Sequence, residues 1–234
     1  MNIIVTGASR GIGRALVLKL SENKDHNIVA VSRNEEKLHS LVKDAGTLNP
    51  EANVFPVPFD LSGDGYAFTL IPEILKQFTT VDILVNNAGK LVKKPFAELT
   101  DQDFDEVFNV NVKSVFRLSR ALLANFNQGS HIVNVSSMGG FQGSSKFPGL
   151  ALYSAAKGAV SVLTEAMAEE LKQRGISVNC LAYGAVKTEM LAEAFPGYEP
   201  PLQAKDMAEY AAWFAVNGHR FYNGKILPVS VSTP

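Results

Sequence analysis

A single cysteine, Cys180, among 234 residues excludes an internal disulfide framework. No apolar run approaches the ~18 residues of a membrane span. No basic segment precedes an apolar stretch at the start either. Neither sign of charge dominates: Lys and Arg total 22, Asp and Glu 23, and the net charge is −1. A dedicated nucleic-acid binder would carry a basic excess. The four histidines, His26, His39, His131 and His219, lie without ligand spacing, so no metal site is expected. Repeats, linkers and low-complexity tracts are missing as well. What is present is 46% apolar and 19% charged, which suits a globular chain rather than a disordered one. The first strand-like run begins at Ile3, and the expectation is a cytoplasmic α/β protein of one domain.

Short runs rich in Ile, Val and Leu recur between helical stretches. They are Ile3–Val5, Ile28–Val31, Val54–Phe59, Ile83–Val85, Ile132–Val135, Ile176–Leu181 and Ile226–Val229. Their lack of alternation fits strands covered on both faces. Helices are expected at about 12–23, 35–45, 66–78, 101–126, 154–174 and 205–216. Alternating strand and helix implies a parallel sheet with right-handed crossovers. Pro56 and Pro58 delete two N–H donors from one side of the third strand, which a sheet tolerates at its edge. In the Rossmann order 3-2-1-4-5-6 the third strand is that edge.

Residues Thr6 to Gly13 form G-x-x-x-G-x-G between the first strand and first helix. Glycines there let the backbone approach a pyrophosphate, and the helix N-terminus favours an anion. An ordinary glycine-rich turn has the same composition; the strand-turn-helix context favours the nucleotide. After the second strand this chain has Ser32-Arg33-Asn34, with no acid before Glu35. An acid there would accept bonds from a ribose 2′-OH. Arg33 and Arg10 instead offer two guanidinium groups that suit a 2′-phosphate, or else lie solvated at the surface. Tyr153 and Lys157 stand four apart and share a helix face. A neighbouring ammonium would lower the tyrosine pKa from its ordinary ~10.

These segments, in this order, resemble the short-chain dehydrogenase/reductase family over essentially the whole chain. The carriers are TGxxxGxG at 6–13, Asp60, Asn86-Asn87-Ala88-Gly89, Asn111, Ser137 and Tyr153-x-x-x-Lys157. The resemblance implies a doubly wound Rossmann fold with a parallel seven-stranded sheet in one domain. It implies a catalytic set of Asn111, Ser137, Tyr153 and Lys157. The dinucleotide would be held by Gly7, Ser9, Arg10, Gly11, Ile12 and Gly13, then by Ser32, Arg33, Asp60 and Leu61. Asn87, Ala88, Gly89, Tyr153, Lys157, Gly184, Val186 and Thr188 would complete that site. Arginine at positions 10 and 33 looks like NADP(H) preference in this family.

The implied reaction moves a hydride between nicotinamide and a carbonyl or secondary alcohol. Tyr153 would exchange the proton, Ser137 hold the carbonyl oxygen, and Lys157 serve both tyrosine and nicotinamide ribose. Asn111 would distort its helix and support a proton relay. Ser136 is the alternative to Ser137, Asn109 to Asn111, and a turn role is the alternative for Asp60. Tyr183 stands where the family usually has proline, which puts the path of the following loop in doubt. That loop, about 186–204, is short and expected to be a mobile lid over an apolar pocket of Phe141, Phe147, Met190 and Phe195.

A 3-oxoacyl-acyl-carrier-protein reductase is the alternative enzyme, weakly supported by Lys90, Lys93, Lys94 and Lys146. A non-catalytic nucleotide sensor would be expected to lack part of the Asn-Ser-Tyr-Lys set, which is complete here. Surplus apolar residues on 101–126 and 154–174 include Phe104, Val107, Phe108, Val115, Phe116, Val160 and Leu163. With the resemblance they imply a homodimer or homotetramer. No nucleic-acid or membrane partner is expected, and nothing names the substrate.

Overall fold

Ile3 and Val5 pack on one face of the first strand and Ile4 on the other, and this alternation separates two layers of helices. The computed structural model describes residues 1–231. Seven strands pair in parallel: β1 (Asn2–Thr6), β2 (Asn27–Ser32), β3 (Asn53–Pro58), β4 (Val81–Asn86), β5 (Phe126–Ser137), β6 (Ser177–Tyr183) and, last in the chain, β9 (Ile226–Val229). Their order is β3-β2-β1-β4-β5-β6-β9. The edge position of β3 is the one its prolines require. Pro56 lies opposite Ala30 and Pro58 opposite Ser32, and the missing donors face away from β2.

Helices α1 (Gly11–Leu20), α2 (Glu35–Leu48) and α8 (Ala204–Asn217) cover one face through Leu16, Val17, Leu38, Leu41, Met207 and Phe214. On the other face lie α3 (Ile71–Leu75), α4 (Asp101–Phe108), α5 (Ser114–Ala121) and α6 (Ala151–Leu171), with Ile74, Leu118 and Leu171 in the core. Each fully buried Leu or Ile contributes about 1.5–3 kcal/mol.

The stretch expected as one helix from 101 to 126 is divided. A π turn at Asn109–Lys113 joins α4 to α5, and the helix ends at Ala121. Phe126 already pairs with Val81 as the start of β5, so the helix has to stop before it. In the other direction α6 begins at Ala151, three residues earlier than expected, and includes Tyr153 in its first turn.

A buried amide chain fixes α6 to the sheet. Asn86 donates to Asn134 at 2.9 Å, Asn134 to the Thr164 hydroxyl at 2.9 Å, and Thr164 to the Val160 carbonyl at 2.8 Å. Each buried polar group thereby keeps a partner. The result is a fixed position for Lys157, one turn before Ser161 on α6. Among the described residues no helix is long and apolar enough to cross a membrane.

Candidate active site

The site lies at the carboxyl ends of β1, β4, β5 and β6, where open α/β sheets bind ligands. Thr6 closes β1 by accepting the amides of Asn87 at 3.0 Å and Ala88 at 3.1 Å. The Asn87 side chain returns a bond to the Thr6 carbonyl at 3.0 Å. This holds the glycine turn against the end of β4. Gly7 and Gly11 adopt φ values of +67° and +55°, which disfavour any side chain. At Gly13 a Cβ would collide with the Gly7 carbonyl oxygen.

Helices α2 and α4 have side-chain caps, from Asn34 and Thr100. Helix α1 has none, and no acid lies in its first turn. Its N-terminal amides and dipole are therefore oriented toward the site with no side chain of the helix itself capping them. This cradle fits a dinucleotide pyrophosphate.

Ser9 and Ser32 join the turn to the end of β2 through a 2.7 Å hydrogen bond. Asp60 accepts the amide and hydroxyl of Ser62 at 2.9 and 2.7 Å, so it does form the turn considered from sequence. Its carboxylate also stands 3.9 Å from Arg33. Leu61 turns its side chain into the core, and its carbonyl accepts the Tyr66 hydroxyl. Ile12 and Val186 likewise pack against the core beside the turn.

Ser137 ends β5, and its hydroxyl is a hydrogen-bond partner of the Tyr153 phenol. Ser136 is buried and donates to the Lys157 carbonyl at 2.8 Å, a structural contact that leaves Ser137 as the serine facing the site. Close approach is possible because Gly140 lies directly on the α6 backbone. A Cβ there would come within 2.5 Å of the Lys157 carbonyl carbon. The Lys157 ammonium is buried, donates to the Val135 carbonyl at 2.8 Å and lies 5.8 Å from the centre of the Tyr153 ring. Burial draws its pKa down to about 8.

Asn111 is buried in the π turn. Its amide donates to the carbonyls of Val107 at 2.8 Å and Lys90 at 2.7 Å. Its oxygen accepts the Lys90 amide at 3.3 Å. The side chain thus occupies backbone groups that a regular helix would pair internally. A methyl group at Gly89 would sit 3.1 Å from the Asn111 oxygen and 3.5 Å from the Lys157 nitrogen. Gly89 therefore leaves the space in which Asn111 and Lys157 converge.

One sequence expectation is corrected here. Tyr153 was expected to have a lowered pKa, but burial raises it, opposed by the Ser137 hydroxyl. The ammonium is engaged by the Val135 carbonyl, 5.8 Å from the centre of the Tyr153 ring.

The loop after β6, expected as a mobile lid, carries secondary structure of its own. Its neck is closed by β7 (Val186–Lys187) paired with β8 (Leu202–Gln203), and it carries α7 (Glu189–Ala194), capped by Thr188. Thr188 reaches back over the glycine turn, where a Cβ on Gly11 would meet its methyl at 3.3 Å. Gly184 packs against Ser230 so closely that any side chain would clash. Tyr183 points into the core, and its buried hydroxyl has no hydrogen-bond partner among the described residues.

Two cations hold the lid, a role the sequence did not assign to either. Arg10 pairs with Glu193 at 3.1 Å. Lys93 donates to the Ala194 carbonyl at 2.7 Å and covers the Phe195 ring at 3.9 Å. No local motif announces them, because the partners are 183 and 101 residues apart. Of the four expected pocket residues, Phe195 lies under Lys93, whereas Phe147 is exposed.

Comparison with known proteins places this geometry. The short chain dehydrogenase family model matches residues 1–199, and the chain belongs to that family. It is 32% identical to an NADPH-dependent aldehyde reductase-like chloroplastic protein of Arabidopsis thaliana, covering 97% of this chain and 92% of the relative. Among solved structures it resembles a short chain dehydrogenase from Burkholderia cenocepacia in complex with NADP. That match has 27% identity and a TM-score of 0.85, over 97% of this chain and 95% of the other. A 3-ketoacyl-(acyl-carrier-protein) reductase from Brucella melitensis complexed with NADH has 28% identity and a TM-score of 0.85, over 97% and 96%. The protein is an oxidoreductase of the short-chain dehydrogenase family with a Rossmann-like fold.

Proposed function

We propose that the protein is an NADP(H)-dependent reductase of small carbonyl compounds, and the reverse dehydrogenase of the corresponding alcohols. The observation that carries this is the convergence of Ser137, Tyr153, Lys157 and Asn111 beside an uncapped α1 and its glycine turn. A bound nicotinamide supplies or accepts the hydride at the carbonyl carbon. Ser137 holds the carbonyl oxygen. Tyr153 gives that oxygen its proton during reduction and takes it back during oxidation. Lys157 is the buried cation that binds ribose. Asn111 holds the Lys90 loop and the end of the relay toward solvent.

Cofactor choice rests on Arg10 and Arg33, with no acid at position 32. A bond to a charged group contributes about 1.5–3 kcal/mol, so one such contact predicts at least a ~10-fold preference for NADPH. The check is kcat/KM with both cofactors on one carbonyl substrate at fixed ionic strength. Combining Ser32→Asp with Arg33→Ala should reverse the preference. Equal values for the native chain would return both arginines to the solvated surface. The Arabidopsis relative's name supports NADPH, whereas the Brucella structure holds NADH.

The Brucella neighbour favours acyl-carrier-protein thioesters as a second reading of the substrate. The lysines that suggested it are engaged within this chain. Lys90 pairs with Glu106, Lys94 with Asp103, and Lys146 with the carbonyls of Phe141 and Ser144. Small free carbonyls are therefore the preferred reading, with residence in the cytoplasm.

Assembly belongs to the same proposal. Val107, Val115 and Val160 are consumed by the protomer's own core, but Phe104, Phe116 and Val162 remain exposed on α4, α5 and α6. Phe104 stacks on Phe108 with centroids 4.2 Å apart. Covering this face with a second copy gives a two-fold dimer or a tetramer. Light scattering at micromolar concentration should give twice or four times the 25.3 kDa chain mass; a monomer rejects it.

A further inference from the structure

The lid and the cofactor cradle share one guanidinium. Arg10 is the N-cap residue of α1, inside the glycine turn, and its side chain pairs with Glu193 on the last turn of α7 at 3.1 Å. Arg33, its counterpart after β2, has Asp60 at 3.9 Å. Both guanidinium groups assigned to a 2′-phosphate thus face carboxylates. The two carboxylates differ in what holds them. Asp60 is fixed by the amide and hydroxyl of Ser62. Glu193 has only Arg10 among the described residues, and its side chain is 67% exposed. It is free to withdraw. The next residue, Ala194, is retained independently by Lys93 through its carbonyl, so withdrawal of Glu193 does not require the lid to unfold.

We propose that Glu193 is a cofactor-selectivity residue, whose carboxylate competes with a 2′-phosphate for Arg10. The inference rests on the assignment of Arg10 and Arg33 to that phosphate. A phosphate carrying nearly two negative charges cannot share Arg10 with a carboxylate at hydrogen-bond distance without repulsion. A 2′-OH makes no such demand and leaves the Arg10–Glu193 pair in place. The competition lowers affinity for the phosphorylated dinucleotide and leaves the unphosphorylated one untouched. Glu193 therefore narrows the preference that the two arginines create, and links cofactor identity to the fastening of α7.

Fragments lacking nicotinamide isolate this effect from catalysis. Dissociation constants of 2′,5′-ADP and 5′-AMP are measured by calorimetry at low ionic strength. The proteins are the native chain, Glu193→Gln, Arg10→Ala and the double variant. Removing an exposed partner changes affinity by a few-fold. Glu193→Gln should tighten 2′,5′-ADP by about 3- to 5-fold and shift 5′-AMP by less than about twofold. The gain should shrink in high salt and vanish in the Arg10→Ala background, where nothing remains to compete for. Persistence of the gain without Arg10 overturns direct competition. If the native chain prefers 2′,5′-ADP but Glu193→Gln changes nothing, the Glu193 inference alone fails. If the native chain binds both fragments equally, the assignment of the arginines fails first.

Discussion

Replacing Tyr153 with phenylalanine should lower turnover by about 10²–10⁴-fold, the range lost with a positioned general acid–base group. The substitution keeps the ring and deletes only the hydroxyl. Burial raises the phenol's pKa, so it is protonated at neutrality and ready to donate in the reductive direction. Ser137 opposes that rise. Dinucleotide affinity should stay within a few-fold, since the hydroxyl faces substrate.

Lys157→Ala provides the contrast. Its ammonium is buried, with a pKa near 8 and one backbone carbonyl as partner. Truncation should damage both turnover and cofactor binding. The measurements are single-turnover reduction rates and cofactor titrations on each variant. A Tyr153→Phe enzyme with near-native turnover would remove the tyrosine from its assigned role.

The covered parallel strands and the edge position of β3 were readable from residues alone because several signals converged. Apolar runs without alternation marked covered strands, and two prolines at i and i+2 marked the edge. The grouping of the proposed catalytic residues was also readable, since Tyr153 and Lys157 lie on one helix and Ser137 ends a strand. What sequence could not give was the environment of these groups. The engagement of Lys157 by Val135 depends on how α6 seats on β5, which is decided by Gly140 and by the buried Asn86–Asn134–Thr164 chain. The pKa of Tyr153 follows from that packing rather than from spacing along the helix. The π turn at Asn111 was foreseeable as a helix distortion, whereas its bonds to the Lys90 loop needed the fold. The lid was least legible. Its neck is a two-residue pairing across 14 intervening residues, with no hairpin signal, and its fastenings reach residues 10 and 93.

Acidification from pH 7 to pH 5 should cost the folded chain about 2 kcal/mol through His131 alone. This ring is fully buried at the amino-terminal side of the sheet, remote from the catalytic groups. Its Nδ1 lies 2.9 Å from the Ala215 carbonyl and its Nε2 3.0 Å from the Asn179 amide nitrogen. A carbonyl needs a donor and an amide NH₂ needs an acceptor, so the neutral tautomer protonated at Nδ1 satisfies both. A second proton at Nε2 would point at another donor. Burial lowers the pKa from its ordinary 6.5 to about 4, the Ala215 carbonyl opposing and His219 reinforcing the shift. The unfolded chain therefore binds a proton between pH 6.5 and 4 that the folded chain refuses. Its stability is complete above 6.5 and falls as the pH drops toward 4. Burial lowers His26 and His219 as well, which adds loss in the same direction. Asp103, held near 2 by Lys94, contributes its own loss only below about pH 4, outside this window. Urea unfolding at fixed protomer concentration, at pH 7 and 5, gives the total. The His131 share is read from its ring proton shift, which should titrate near 4 in the folded state; a midpoint near 6.5 would mean that neither burial nor the Asn179 donor opposes the second proton.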